Sequence, residues 1–154
     1  MKALIQRVNY AKVETEGKVV GQIEKGLLVL LGVGHQDTAE IAEFLADKCV
    51  KLRIFSDEND KLNLSLADIN GGMLVVSNFT LYADASHGRR PNYLDAAPPQ
   101  QADSLYRYFA ACVEDLGINP VQTGVFGADM KVSLENDGPV TIMLDTDVIY
   151  KKPR

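Results

Sequence analysis

The sequence is poor in the residues that build most metal sites and disulfide scaffolds, with two cysteines and two histidines among 154 residues. Cys49 and Cys112 stand far apart in predicted helices, so they supply neither a disulfide framework nor a pair of metal ligands. His35 and His87 have no cysteine or histidine at metal-ligand spacing. We therefore expect two reduced thiols, and neither a metal nor a cofactor.

Long apolar runs are missing as well. The longest, Leu27–Val33, is far shorter than the roughly 20 residues that cross a bilayer as a helix. Gln6 and Arg7 interrupt the apolar start of the chain, which excludes the core of a signal peptide. These features predict a cytoplasmic protein without membrane contact.

Basic residues and standard catalytic motifs are also scarce. Lys and Arg total 16 against 21 for Asp and Glu, and the net charge of −5 argues against one broad basic face for nucleic acid. Gly32 and Gly34 lack the third glycine of a dinucleotide loop, and the chain contains neither a phosphate loop nor a nucleophile elbow. Judged by these motifs alone, the chain is a globular domain without identifiable chemistry.

The apolar pattern that is present predicts a single α+β domain over residues 1–154, with mixed or antiparallel β-sheets covered on one side by two main helices. The first helix is expected to begin after Asp37 as N-cap, with Glu40 as its capping-box partner. The second is expected to begin near Pro98-Pro99. Strands are predicted over residues 2–14, 19–24, 26–34, 73–81, 121–126, 130–134 and 140–144.

Polar residues end the buried strand predicted over residues 73–81. If the strand continues through them, Asn78 and Thr80 share one face, and Ser77 and Phe79 share the other. Polar side chains at the end of a buried strand are well placed to line a ligand pocket. The alternative is a strand that frays into the long irregular loop that follows.

The segment Asn136–Thr141 is the second unusual feature. Its Asn-Asp-Gly run predicts a tight hairpin between the last two strands. Pro139 at the start of the returning strand removes a ladder donor, and the bond between Gly138 and Pro139 can be cis. A plain hairpin with a proline at its first strand residue is the simpler interpretation. Arg7, inside an apolar strand, is exposed or salt-bridged, or it holds backbone carbonyls with its fork of donors.

Several segments, in order along nearly the whole chain, resemble the D-aminoacyl-tRNA deacylases, also called D-tyrosyl-tRNA deacylases. The Asn-x-Gly-Pro-x-Thr signature of that family is intact, whereas Asn78 stands where its Ser-Gln-Phe-Thr signature has glutamine. The segments that carry the resemblance are Lys2–Val8, Gly26–Val33, Arg53–Asp57, Ser77–Leu81 and Asn136–Thr141.

The resemblance implies a homodimer with a barrel-like sheet. It implies an enzyme that hydrolyses the ester joining a D-amino acid, or glycine mischarged on tRNA-Ala, to the 3′ acceptor end of tRNA. Catalytic roles fall to Ser77, Phe79 and Thr80, with the N–H of Phe79 as an oxyanion donor and with help from the 2′-hydroxyl of the RNA. The implied substrate-binding residues are Arg7, Asn78, Asn136, Gly138, Pro139 and Thr141.

In this family, Gly138 and Pro139 are expected to form a cis dipeptide that reaches into the pocket of the other subunit. Its rigid backbone is expected to exclude L side chains and to hold the α-amino group of the substrate, while Arg7 braces it. Arg89-Arg90 and the tail cluster Lys151, Lys152 and Arg154 are candidate tRNA contacts.

Two alternatives stay open from the sequence. One is a nucleic-acid-binding module on the same scaffold without hydrolytic activity. The other is a conventional hydrolase in which the hydroxyl of Thr80 is the nucleophile.

Overall fold

A long first strand organises the fold. In a computed structural model, which describes residues 1–152, the strands of one six-stranded sheet are β1 (Lys2–Thr15), β2 (Lys18–Ile23), β3 (Gly26–Gly32), β6 (Gly72–Ser77), β7 (Val121–Thr123) and β8 (Lys131–Asp145). Strand β1 pairs antiparallel with β3 through its first half and with β2 through its second half, while β8 runs antiparallel along its other edge. Strands β3, β6 and β7 pair in parallel.

Two helices cover one face of the sheet, as the sequence predicts. Helix α1 (Ala39–Lys51) and helix α2 (Pro99–Asp115) turn their buried stripes toward β1, β3 and β6, and the contact forms the larger hydrophobic core. The short helix α3 (Thr146–Ile149) follows β8. The buried helical side chains include Leu45, Ala46, Cys49, Tyr106, Phe109 and Val113.

The sheet curls until its distant edges meet, so it is nearly closed like a barrel. At Gly21 in β2, a Cβ atom would lie 2.6 Å from the carbonyl oxygen of Thr123 in β7, so only glycine allows this approach. The concave face carries a second, smaller apolar cluster that includes Val8, Leu28 and Val76. The fold is therefore the predicted α+β arrangement, with one face of the sheet under helices and the other curled around a small core.

The start of α1 differs from the prediction. Thr38, not Asp37, is the N-cap, and its hydroxyl accepts the N–H of Ile41. Asp37 is buried and instead accepts the ammonium group of Met1 at 2.7 Å and the N–H of Gly34 at 2.6 Å. A buried ammonium requires a charged partner, and that long-range requirement decides the role of Asp37.

The predicted hairpin at the C-terminal end is wrong. Residues 131–145 form one continuous strand, β8, that stays paired with β1 on both sides of Asn136–Thr141. The predicted strand over residues 73–81 ends early, at Ser77. A small sheet of β4 (Phe55–Ser56) and β5 (Leu62–Leu64) was not predicted, since neither strand is long enough to show a period.

Within residues 1–152, no helix has the length and apolar character needed to span a membrane. In the same part of the chain, no three His, Cys, Asp or Glu side chains are grouped as metal ligands would be.

Candidate functional site

The concave face of the sheet opens into a cavity of about 1090 Å³. Its floor is apolar, and its wall carries the polar residues that follow β6. The volume slightly exceeds the roughly 300–1000 Å³ typical of small-molecule sites, so it has room for an amino acid and a nucleoside together. The floor residues include Leu28, Leu30, Val76, Met130, Val132 and Leu134.

The 77–80 segment (Ser77, Asn78, Phe79 and Thr80) forms part of this wall. The predicted alternation of faces is wrong, because β6 ends at Ser77 and a 3-10 helix begins at Phe79. The change from strand to helical turn brings all four residues to the same cavity. The structure thus assembles the residues of the first signature at one place.

Asn78 caps this turn. Its backbone N–H donates to the carbonyl of Leu31 at 2.8 Å, which ties the turn to β3. Its side-chain oxygen accepts the N–H of Thr80 at 3.2 Å and also the hydroxyl of Thr80. Both polar hydrogens of Thr80 are therefore engaged by one amide oxygen.

The N–H of Phe79 is left without an acceptor among residues 1–152. It belongs to the first residue of the turn, where helical geometry provides no partner. An unpaired main-chain donor at the wall of a largely apolar cavity is suited to stabilise an anionic oxygen, because no acceptor in the described part of the chain competes for it.

Tyr82, at the end of this turn, is a packing residue. Burial raises the pKa of its hydroxyl, and the negative charge of Asp37 raises it further. The phenol therefore stays protonated at neutral pH. Its ring packs against Gly32 and Gly34, where a larger residue would collide with it.

The second signature forms a bulge in β8. Gln6 pairs with Thr141 and Val8 pairs with Asn136, so residues 137–140 lie opposite the single residue Arg7. The side chain of Asn136 closes the bulge: its oxygen accepts the N–H of Val140 at 2.8 Å, and its nitrogen donates to the hydroxyl of Thr141 at 2.9 Å. We call residues 137–140 the β8 bulge.

Arg7 anchors the β8 bulge to the core. Its Nε donates to the carbonyl of Asp137 and its Nη1 to the carbonyl of Ile54, both at 2.9 Å. Its side chain is 12% exposed, and the Asp137 carboxylate lies 3.5 Å from Nε. The interpretation that Arg7 holds backbone carbonyls is confirmed. The bond between Gly138 and Pro139 is cis, as predicted, and both residues are exposed.

The two signatures do not meet within one chain. Gln6 and its cross-strand partner Leu28 line the cavity, whereas Arg7 is on the other face of β1 with its partner Leu27, a member of the larger core. Within residues 1–152, none of the substrate-binding candidates Arg7, Asn136, Gly138, Pro139 and Thr141 lines the cavity. Consecutive side chains of β1 thus lie on opposite faces, Gln6 toward the cavity and Arg7 toward the β8 bulge.

The sequence analysis missed much of the cavity lining. Phe126 and Met130 were predicted as strand residues but lie in the connection between β7 and β8, and Tyr93 and Leu94 come from the long irregular loop predicted after residue 82. No local pattern identifies these four, because they become a lining only when the sheet curls.

The candidate tRNA contacts are on the surface. Arg89 and Arg90 are exposed, and neither takes part in an ion pair with any of residues 1–152. Lys151 and Lys152 are exposed too, and Arg154 lies outside the described residues.

Comparison with known proteins identifies the relatives of this chain. The sequence profile of a family described as D-Tyr-tRNA(Tyr) deacylase matches residues 4–145. A D-aminoacyl-tRNA deacylase of Thermosipho africanus is 57% identical over 97% of this chain and all of its own length. One from Geotalea uraniireducens is also 57% identical, over 95% of this chain and 94% of its own.

Two solved structures share the fold. The c-Myc DNA Unwinding Element Binding Protein superposes with a TM-score of 0.89 at 37% identity, covering 94% of this chain and 98% of its own. A structure described as a probable eukaryotic D-amino acid tRNA deacylase superposes with a TM-score of 0.81 over 93% of this chain and 97% of its own. Since the second is 17% identical, it supports the fold alone.

Proposed function

Because the chain belongs to the D-Tyr-tRNA(Tyr) deacylase family, we propose that the cavity beside the 77–80 segment is where it hydrolyses the ester of D-aminoacyl-tRNA. The chain is a D-aminoacyl-tRNA deacylase, a hydrolase that acts on ester bonds of tRNA. The observation that carries the assignment of the site is the unpaired N–H of Phe79 at the cavity wall.

The reaction needs little from the side chains. A water molecule adds to the ester carbonyl carbon, the bond to the ribose 3′-oxygen breaks, and that oxygen takes up a proton. The N–H of Phe79 stabilises the oxyanion of the tetrahedral intermediate, and the 2′-hydroxyl of the terminal ribose assists the proton transfer. Because an aminoacyl ester is already activated, orientation and oxyanion stabilisation account for the acceleration.

Handedness is read by the β8 bulge of a second copy. Gly138 and Pro139 are exposed yet anchored through Arg7, and they lie on the far side of β1 from the cavity of their own chain. A homodimer places this stiff element over the neighbouring cavity. There its backbone excludes an L side chain while its carbonyl oxygens hold the substrate's α-amino group. Exclusion by backbone rejects the wrong hand without any contact that favours one side chain.

The same filter admits glycine, which has no side chain to exclude. Glycyl-tRNA formed on tRNA-Ala is therefore a second substrate. The enzyme acts in the cytoplasm, where aminoacylated tRNA is used for translation.

The nucleic-acid-binding alternative draws support from one structural neighbour, which is named for binding a DNA unwinding element. It differs from the proposal in one measurable respect. A binding module without hydrolytic activity leaves the half-life of a D-aminoacyl ester unchanged.

The deciding experiment compares D-tyrosyl-tRNA with L-tyrosyl-tRNA under identical conditions. We expect the protein to accelerate loss of the D ester strongly and to leave the L ester at its rate in buffer. Equal rates for both esters would refute the handedness filter, and no acceleration of either would refute hydrolysis. Sedimentation of the same sample tests the homodimer.

A further inference from the structure

Large apolar side chains gather at the mouth of the cavity without cover. Phe79, Tyr93 and Leu94 are 56%, 40% and 79% exposed. The rings of Phe79 and Tyr93 meet edge to face, with centroids 5.0 Å apart, and all three residues line the cavity. Neighbouring exposed residues of this size mark a surface that something else covers.

The loop that carries Tyr93 and Leu94 is held in place. We call residues 83–98 the mouth loop. Asp84 and Asn92 exchange backbone hydrogen bonds of 2.8 and 3.0 Å, and the side chain of Asn92 accepts the N–H of Leu94. The Nε2 of His35 donates to the carbonyl of Leu94 at 2.7 Å. A ligand therefore meets a preformed surface and loses little free energy in ordering it.

Two free cations stand in the same loop. Arg89 and Arg90 lie between the bridged residues Asp84 and Asn92, are exposed, and form no ion pair with any of residues 1–152. The mouth loop thus carries these two arginines as well as Tyr93, one ring of the aromatic pair. In a chain of net charge −5, this combination favours a polyanion with flat bases over an acidic second copy of this chain.

We propose that the mouth loop binds the single-stranded nucleotides that precede the terminal adenosine of tRNA. Bases stack on Tyr93 and the neighbouring ring of Phe79, and the phosphates between them contact Arg89 and Arg90. Proteins hold single-stranded RNA in this way, by stacking on aromatic rings beside a cationic track. The inference rests on the proposed function, which puts the ester and the terminal adenosine in the cavity itself.

The test compares two D esters, D-tyrosyl-tRNA and D-tyrosyl-adenosine, of which only the first carries these nucleotides. For Tyr93→Ala, we expect kcat/KM on the tRNA ester to fall at least about fivefold further than on the adenosine ester, mainly through KM. For the double variant Arg89→Ala with Arg90→Ala, we expect a similar selective loss and a shallower salt dependence. The matched control on α2, Arg107→Ala with Tyr108→Ala, removes an exposed arginine and an exposed tyrosine and leaves both rates unchanged.

Equal losses on both esters would overturn the inference, because Tyr93 would then act only inside the cavity. A change in oligomeric state in Tyr93→Ala would also overturn it, since a second copy would then cover the surface. Binding separates this inference from the hydrolytic proposal. Even if neither ester were hydrolysed, the wild type should bind uncharged tRNA more tightly than tRNA trimmed of its single-stranded 3′ nucleotides, and Tyr93→Ala should lose that preference. Equal binding of the two tRNAs by the wild type would refute the inference.

Discussion

The guanidinium of Arg7 holds the carbonyl of Asp137 at 2.9 Å, across 130 residues of sequence. This contact, with the matching one to Ile54, fixes the β8 bulge from below while Gly138 and Pro139 stay exposed above. The bulge is therefore an exposed element with a buried anchor, and the anchor is a single side chain.

Replacing Arg7 should loosen the β8 bulge and weaken its discrimination between D and L esters. Each lost charge-assisted hydrogen bond in a partly buried site is worth about 1.5–3 kcal/mol. We expect Arg7→Ala to lower kcat/KM for D-tyrosyl-tRNA roughly 10- to 100-fold and to narrow the ratio of D to L rates. Arg7→Lys keeps the charge but loses the fork of donors, so its kcat/KM should lie between those of the wild type and Arg7→Ala. Arg107→Ala, exposed on α2, is the control. An unchanged D to L ratio in Arg7→Ala would contradict the bracing role.

Gly138 has no room for a side chain. Its φ is +141°, and an added Cβ would lie 2.8 Å from the backbone nitrogen and from the Cγ2 of Val140. Gly17 also has a positive φ, +75°, but no atom within 4 Å of an added Cβ. Gly138→Ala should therefore lower the melting temperature more than Gly17→Ala does, as measured by thermal unfolding. Only Gly138→Ala should impair deacylation. Equal effects would show that the positive φ alone is what matters.

Asn78 should matter to activity as the cap of the turn, through its side-chain oxygen, and not through its amide nitrogen. Serine is as good an N-cap as asparagine, whereas alanine cannot accept the N–H of Thr80. We expect Asn78→Ser to keep activity within about threefold, and Asn78→Ala to lose roughly tenfold as the N–H of Phe79 shifts. Kinetics with D-tyrosyl-tRNA measure both. If Asn78→Ser lost clearly more than about threefold in activity, the amide nitrogen of Asn78 would have to contact the substrate directly.

Thr80 should not be a nucleophile. Its hydroxyl donates to the side-chain oxygen of Asn78, an amide that cannot take up its proton. Thr80→Ala should keep at least about a fifth of the activity, since it loses only one contact of the turn. Mass spectrometry of the wild type during turnover should find no aminoacyl adduct. Complete loss of activity together with a D-tyrosyl ester on Thr80 would establish the conventional mechanism instead.

The buried thiol should be inert. Burial raises the pKa of Cys49 to about 12, so the thiolate that reacts is scarcely populated at pH 8. Burial also raises the pKa of the Cys112 thiol, but Cys112 is only partly buried and stays accessible to solvent. A thiol reagent at pH 8 should label Cys112 slowly and Cys49 only after unfolding, with Cys112→Ser as the control. Because the folded pKa of Cys49 exceeds its ordinary value of 9.0, its contribution to stability should be lost as the pH rises above about 9. Rapid labelling of native Cys49 would contradict this.

Sequence predicted the helices and most strands because their apolar periods reflect burial on one face. It failed where a distant partner overrides a local signal. Asp37 carries the signature of an N-cap but neutralises the ammonium of Met1, and the Asn-Asp-Gly turn near Gly138 bends a bulge instead of a hairpin because β1 pairs with β8 on both sides of it.

The candidate site divides in the same way. The 77–80 segment and residues 136–141 drew attention from their residues, since polar groups and proline are out of place in buried strands. Their roles in a site were predicted only from the resemblance to the deacylases. Phe126, Met130 and Tyr93 were not predicted as site residues, because only the curled sheet brings them to the cavity.

In the proposed mechanism, the unpaired N–H of Phe79 constrains how this enzyme can evolve. Every coded residue except proline carries that group, so almost no point mutation at position 79 can delete the donor. Drift there alters the bulk and polarity of the rim while the hydrolytic step persists. Preference among amino acids can thus be retuned without passing through an inactive ancestor.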